Sequence, residues 1–291
     1  MMKSMKPADT LTVFFSLVLI VITLIFFRRI ESAGYLLALY SMIIFIQMLL
    51  VRISQRNAFL TVTRDIVFPV LSVLIIFDSM GLVVHSINPQ DIDYLLIRLD
   101  YLIFGCYPTV YLEGISSPLL IDILQLAYCT YYVVPIGVGV LLKVQGKHEA
   151  FDKYVFLILL CFYFSFVGYM LFPALGPRYT IEHLQTVDAD GFMVSKTIQD
   201  ILNMLEGVKR DAFPSGHTGI SLASLFLALR YARRAGFILI LPILLLVCAT
   251  VFCRYHYVVD VIGGLILCVV TLVLGELYYN RGKGRGNGSS L

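Results

Sequence analysis

The sequence predicts an all-α fold, a polytopic transmembrane helix bundle of about eight spans. Three observations carry this. Of the 291 residues, 59% are hydrophobic and only 14% are charged, against about 25% charged in typical soluble domains. Mean hydropathy is +0.88. Apolar runs of about 20 residues, the length that crosses a hydrocarbon core of about 30 Å, recur along the chain. A net charge of +3 is too small to point to nucleic acid. The cysteines Cys106, Cys129, Cys161, Cys248, Cys253 and Cys268 are scattered without a C-x-x-C pair, so they read as small hydrophobes.

The runs are taken in order. The first, 11–27, ends in Arg28-Arg29 with no small-residue cleavage site after it, so it reads as an uncleaved helix. The second and third are 33–51 and 66–86. Residues 87–116 hold DIDYLLIRLDYLIFG, too charged and too short to span, and are expected to lie in the interface or dip in partway. Spans four and five are 117–142 and 154–174. Residues 175–213 form the longest loop, and long loops in compact proteins are often functional. Spans six to eight are 214–231, 236–253 and 256–279. The tail, 280–291, contains GKGRGNGSS and is expected to be disordered. Residues 1–65 then form an N-terminal helix pair, and 66–279 a core.

Eight spans place both termini on one side. Most of the 22 Lys and Arg residues fall in segments on that side, including Lys3, Lys6, Arg52, Arg56, Arg64, Lys143, Lys147 and Arg233. Basic loops stay cytoplasmic, so both termini are expected inside, in a plasma (inner) membrane.

Three stretches then share the extracytoplasmic face: GYMLFPALGPRY (168–179), RDAFPSGHTG (210–219) and ATVFCRYHYVVDVIGG (249–264). His256 and Asp260 are spaced i, i+4, one turn apart on a helix. A carboxylate there can take one imidazole proton and leave the other nitrogen free, the orienter-and-base arrangement of a triad. A His–Asp pair that only locks a helix has the same spacing. Pro214 suits a first helical position. The free N–H groups of such a helix start are an anion site, to which Ser215 adds a hydroxyl and Gly216 close backbone approach. His217 stands on the first turn, placed to exchange a proton. Arg178 and Arg254 offer planar donors that match phosphate oxygens. Two His, an Asp, two Arg and a helix N-terminus, without a metal-ligand pattern, fit phosphoryl transfer better than metal hydrolysis. No metal and no cofactor is expected.

These residues resemble the type 2 phosphatidic acid phosphatase superfamily, which also contains the vanadium haloperoxidases. Its motifs are K-x6-R-P, P-S-G-H and S-R-x5-H-x3-D. Pro214-Ser215-Gly216-His217 matches the second, His256 and Asp260 match H-x3-D, and Arg178 matches the first-motif Arg. The likeness covers about 66–279. Leu171 stands where the family has lysine, Tyr179 replaces the proline, and Thr250 stands where the third motif has arginine. LFPALGPRY, RYHYVVDVIGG and the pair Asp93 and Asp100 are similar to the inositol phosphorylceramide synthase-like branch. Arg254, Lys209 and Arg210 are the candidates to replace the missing cations. The resemblance implies a six-helix catalytic core in which His256 attacks phosphorus, Asp260 orients it and His217 acts as acid and then base. Arg178, Arg254, Ser215 and the Gly216 backbone would hold the phosphate oxygens of a phosphorylated lipid.

Asp78 and Asp122 are intramembrane carboxylates and therefore candidate auxiliary site residues. Asp91, Asp93, Asp100 and Glu113 either hold a polyol hydroxyl of an acceptor or only cap helices or face solvent. His85, His148 and His183 have no partner legible from spacing. Three functions stay open: a lipid phosphatase, a phosphotransferase to an inositol-like or lipid alcohol, and a non-enzymatic transporter with broken helices.

Overall fold

The structure, a computed structural model, describes residues 5–186, 191–192, 195–205 and 208–286. Its main helices are α1 (Pro7–Ile25), α2 (Ala33–Ile53), α3 (Ala58–Ile87), α4 (Asp93–Phe104), α5 (Pro118–Val144), α6 (His148–Leu171), α7 (Ser195–Leu205), α8 (Gly216–Tyr231), α9 (Arg233–Phe252) and α10 (Val258–Tyr279). No strand occurs among the described residues. The protein is a polytopic helical bundle.

Seven described helices are long and apolar enough to cross a membrane: α1, α2, α3, α5, α6, α9 and α10. The sequence expects the eighth at 214–231. There α8 has 16 residues, about 24 Å at 1.5 Å per residue, shorter than the hydrocarbon core. It tolerates this because it is surrounded by protein: α5, α6, α9 and α10 all pack on it. Small residues (Gly219, Ser221, Ala223, Ser224) allow that close approach, and all are buried. Where α10 crosses the start of α8, a side chain on Gly264 would strike the Ser215 carbonyl and Thr218. The interface segment after α3 bends by 65° between α4 and the short helical stretch Pro108–Ile115. If that bent pair counts as one span, eight helices cross.

Two elements differ from the sequence reading. The loop 175–213 contains a helix, α7, whose Ile198 joins a small core with Leu124, Tyr128, Ala249 and Cys253. The last helix continues to Gly286, and the rest of the expected tail, 287–291, lies outside the described residues.

The N-terminal helices pack directly on the remainder. Phe15 on α1 stacks on Tyr163 of α6 with centroids 4.3 Å apart. At the end of the bundle where α1 begins, Asp9 pairs with Arg64 and accepts from Gln47 at 2.8 Å. Asp65 pairs with Lys6 at 2.8 Å and Lys143 at 2.6 Å. Buried charges persist only when paired and hydrogen-bonded, and this network joins four helices. The candidate site lies at the opposite end.

Candidate active site

Backbone hydrogen bonds stitch the three predicted stretches together. Ala212 N–H donates to the Ala174 carbonyl at 3.1 Å, and Ser215 N–H to the Asp260 carbonyl at 3.0 Å. Two aspartates of α4 hold the outer pieces in register. Asp93 accepts from the N–H groups of Leu175 (2.9 Å) and Gly176 (2.8 Å) and from the Tyr257 hydroxyl (3.0 Å). Asp100, seven residues on and so on the same helical face, accepts from Val258 N–H at 3.0 Å and Val259 N–H at 2.8 Å. It therefore caps α10, where a carboxylate meets free N–H groups and the positive helix end. Asp100 thus meets the capping expectation, whereas Asp93 holds the loop that leads to Arg178. Burial and the neighbouring Asp93 push the Tyr257 hydroxyl pKa upward, so Tyr257 is a donor.

His256 sits two residues before α10, and Asp260 on its first turn. The spacing predicts Asp260 as the partner of the imidazole. The nearer acceptor is the Ala212 carbonyl, 2.8 Å from His256 Nδ1, with Asp260 Oδ2 at 3.4 Å. Asp260 Oδ2 also accepts Tyr257 N–H at 2.9 Å. The proton on Nδ1 thus has two acceptors, and Nε2 is left with its lone pair outward. The His256 N–H is held by the Thr250 carbonyl at 2.8 Å. Thr250 thus anchors the histidine backbone where the family pattern expects a cation.

His217 faces His256. Its Nδ1 lies 3.4 Å from His256 Nε2 and 3.4 Å from the Tyr128 hydroxyl. Its Nε2 is buried and has no hydrogen-bond partner among the described residues. The proline register differs by two residues: α8 starts at Gly216, Ser215 is its N-cap, and Pro214 precedes it. Ser215 is fully buried and its hydroxyl oxygen accepts Thr218 N–H at 3.3 Å, the ordinary work of an N-cap. The space beside Gly216 is filled by the Tyr169 hydroxyl, so a side chain there would clash.

A cavity of about 330 Å³ opens on both histidines. Arg178 and Lys209 supply its cations, Asp211 its carboxylate, and Tyr128 and Tyr255 its aromatic wall. The wall is one continuous stack. Tyr128 lies 4.5 Å from His217 and 4.3 Å from Tyr255 between ring centroids, and the Arg178 guanidinium sits 5.5 Å over Tyr255. Both groups are partly exposed, and a cation–π contact of this kind contributes about 1 kcal/mol to keeping Arg178 at the rim. Tyr128, Tyr255 and Asp211 are the residues that sequence reasoning missed. The cluster of Tyr128, Tyr131 and Tyr132 inside one span was the available signal.

The remaining candidates lie elsewhere. Arg254 has a left-handed backbone (φ 64°) and donates to Gln185 at 2.8 Å and Glu113 at 2.9 Å. It does not line the cavity. Glu113 also accepts from Thr186 N–H at 3.1 Å, so the pair organises the loop above the site. Arg210 pairs with Asp91 at 2.7 Å. Asp122 accepts Phe192 N–H (2.8 Å) and Ser195 N–H (3.0 Å), tying the start of α7 to α5. Asp78 lies on a second, larger cavity of about 830 Å³. Leu171 is 55% exposed and away from the cavity lining. Among the described residues no group of three or more His, Cys, Asp or Glu is placed to hold a metal ion.

Comparison with known proteins adds two findings. The model of a family described as the PAP2 superfamily matches residues 98–274. A PA-phosphatase related-family protein of Dictyostelium discoideum is similar, 24% identical over 177 residues, covering 54% of this chain and 32% of the relative. The match thus spans about a third of that relative's length. No solved structure matches the chain.

Proposed function

The chain belongs to the PAP2 superfamily, and from that premise we propose that it is an integral-membrane lipid phosphatase acting through a phosphohistidine at the extracytoplasmic face. Residues 66–279 are its catalytic core, with both termini cytoplasmic and the plasma membrane as its site. The observation that carries the reading is the orientation of His256. Its Nδ1 is held by the Ala212 carbonyl and Asp260, so Nε2 faces His217 and the cavity.

In the first half-reaction His256 Nε2 attacks the phosphorus of a lipid phosphate or diphosphate. The P–N bond forms as the P–O bond to the lipid breaks. His217 gives a proton to the departing oxygen, which leaves as a neutral alcohol or a protonated phosphate. In the second half, His217 takes a proton from water as its oxygen attacks phosphorus. The P–N bond breaks, inorganic phosphate is released and His256 regains its lone pair. Arg178 and Lys209, which line the cavity, hold the phosphate oxygens in this reading while charge shifts. Asp260 and the Ala212 carbonyl stabilise the charge that develops on His256.

Transfer to an alcohol uses the same chemistry with a different second substrate. The Asp211 carboxylate in the cavity favours keeping this reading, since it offers an acceptor for a polyol hydroxyl. One assay separates the two. Purified protein in detergent is offered phosphorylated lipids with and without inositol. Release of inorganic phosphate independent of inositol is expected. A new inositol phosphate monoester formed only with inositol would replace hydrolysis by transfer, and no product from any lipid would overturn both.

A further inference from the structure

The larger cavity lies between α3, α5 and α6 and is walled mostly by apolar side chains such as Leu74, Ile75, Ile136, Val140 and Phe162. It runs from Asp65 to Leu82 along α3, about 25 Å at helical rise. His217 and Asp211 line both this cavity and the smaller polar one, so the two meet at the proposed acid–base residue. A hydrocarbon chain in the large cavity would therefore place its head at the histidines.

One residue of that wall is out of character. Asp78 is exposed on the cavity, while its neighbours Ile76, Ser79 and Met80 are buried in the bundle. No described residue donates a hydrogen bond to it or pairs with it. A polar group left unsatisfied in an apolar environment is costly, and intramembrane carboxylates default to ligand or transport roles. Among the described residues the buried acids, by contrast, all have partners: Asp9, Asp65, Asp93, Asp100, Asp122 and Asp260.

The level of Asp78 along the bundle decides what it can meet. Phe77, beside it, packs on Phe166 of α6 with centroids 5.9 Å apart. Ser165, beside Phe166, lies 3.6 Å from the position of a Cβ on Gly216. Counted down from the Asn88–Leu171 contact, Asp78 lies about 15 Å and Ser165 about 9 Å deep at helical rise, so Asp78 stands about one turn below the first turn of α8, on the cavity that His217 also lines. The part of a lipid that reaches this height is the backbone next to the phosphate.

A carboxylate accepts hydrogen bonds, and so does an ester carbonyl; a hydroxyl or an amide N–H donates. We propose that Asp78 accepts a hydrogen bond from an O–H or N–H on the lipid backbone beside the phosphate. It then acts as a specificity residue favouring donor-bearing lipid phosphates over diacyl esters. This rests on the lipid-phosphatase reading above.

The test uses the full chain in mixed micelles with three substrates of equal chain length. They are a phosphorylated N-acyl amino alcohol with a free hydroxyl, a monoacylglycerol phosphate with a free hydroxyl, and a diacylglycerol phosphate. A hydrogen bond to a charged group carries roughly ten-fold or more in selectivity, so the wild type should favour the first two by about that ratio in kcat/KM. In Asp78→Leu the ratio should fall to within about two-fold. The amide and the monoacyl arms separate an N–H source from an O–H source. Asp78→Asn, which keeps the size and both donates and accepts, should retain part of the preference and serves if the leucine variant does not fold. Equal rates in the wild type, or a uniform loss with the ratio kept, would overturn the proposal. Binding of non-hydrolysable phosphonate analogues of the three lipids, read by thermal shift, repeats the comparison without turnover. Wild-type protein that binds them selectively yet hydrolyses none would sink the phosphatase reading and leave the Asp78 preference standing.

Discussion

Nδ1 of His217 lies 3.4 Å from Nε2 of His256, across α8 and the start of α10. The two rings are tilted by 58° with centroids 5.6 Å apart. In the mechanism proposed above, a phosphoryl group entering from the cavity meets both at once, one as nucleophile and one as acid.

The first prediction concerns this pair. His256→Ala should abolish turnover. His217→Ala should lower kcat by about 10²- to 10⁴-fold, the usual worth of a general acid–base residue. Brief incubation with a radiolabelled lipid phosphate, quenched in alkali, should leave an acid-labile label on the protein. The label should be absent in His256→Ala. Full activity in that variant would end the phosphohistidine mechanism.

The second concerns Asp260. Because the Ala212 carbonyl sits closer to His256 Nδ1 than Asp260 does, the tautomer survives loss of the carboxylate. Asp260→Asn should therefore cost less than the about 10⁴-fold lost when a triad's orienting carboxylate is neutralised. A loss as deep as that of His256→Ala would show that the carbonyl does not hold the ring.

The third separates the cations. Arg178→Ala and Lys209→Ala should each raise KM and lower kcat, because both line the cavity. Arg254→Ala should act through the loop that Glu113 holds. Its effect should match that of Glu113→Gln, and the double variant should be no worse than either single one, as for residues acting as one unit. Additive effects would mean that Arg254 reaches phosphate by itself.

The fourth uses pH. Burial pushes the Cys253 thiol up to about 12, with Arg178 and Arg254 pulling the other way. The thiol is the unreactive form, so folded protein at pH 8 should leave Cys253 unlabelled by maleimide. Reactivity should rise only as pH climbs toward the raised value, and denaturation should restore labelling at pH 8. Labelling of the folded protein at pH 8 would show that the floor under Arg254 is open.

Much of this protein was legible in one dimension. A charged fraction of 14% and repeated apolar runs require a bilayer. Backbone exposed to lipid must form helices or a closed barrel, and continuous apolar runs of about 20 residues fit helices and not the short alternating strands of a barrel, so the run lengths largely fix the helices. The i, i+4 pair of His256 and Asp260, and the order of Arg178, Pro214-Ser215-Gly216-His217 and His256, marked the site because those residue types are expensive near lipid. Other features needed packing. Arg254 and Arg178 look alike as interfacial arginines, yet one is held by Glu113 and Gln185 while the other lies over Tyr255 at the cavity. The choice depends on residues 69 to 141 positions from Arg254 in the chain, and hydropathy carries no such information. The same holds for the carbonyl of Ala212, which has no side-chain signature, and for Tyr128, which reads as one more aromatic in a span. Composition and spacing determined the bundle and the two histidines. Tertiary structure decided which cations face the cavity, which acceptor holds His256 and that Asp78 shares a cavity with His217, because each of these depends on contacts between helices far apart in sequence.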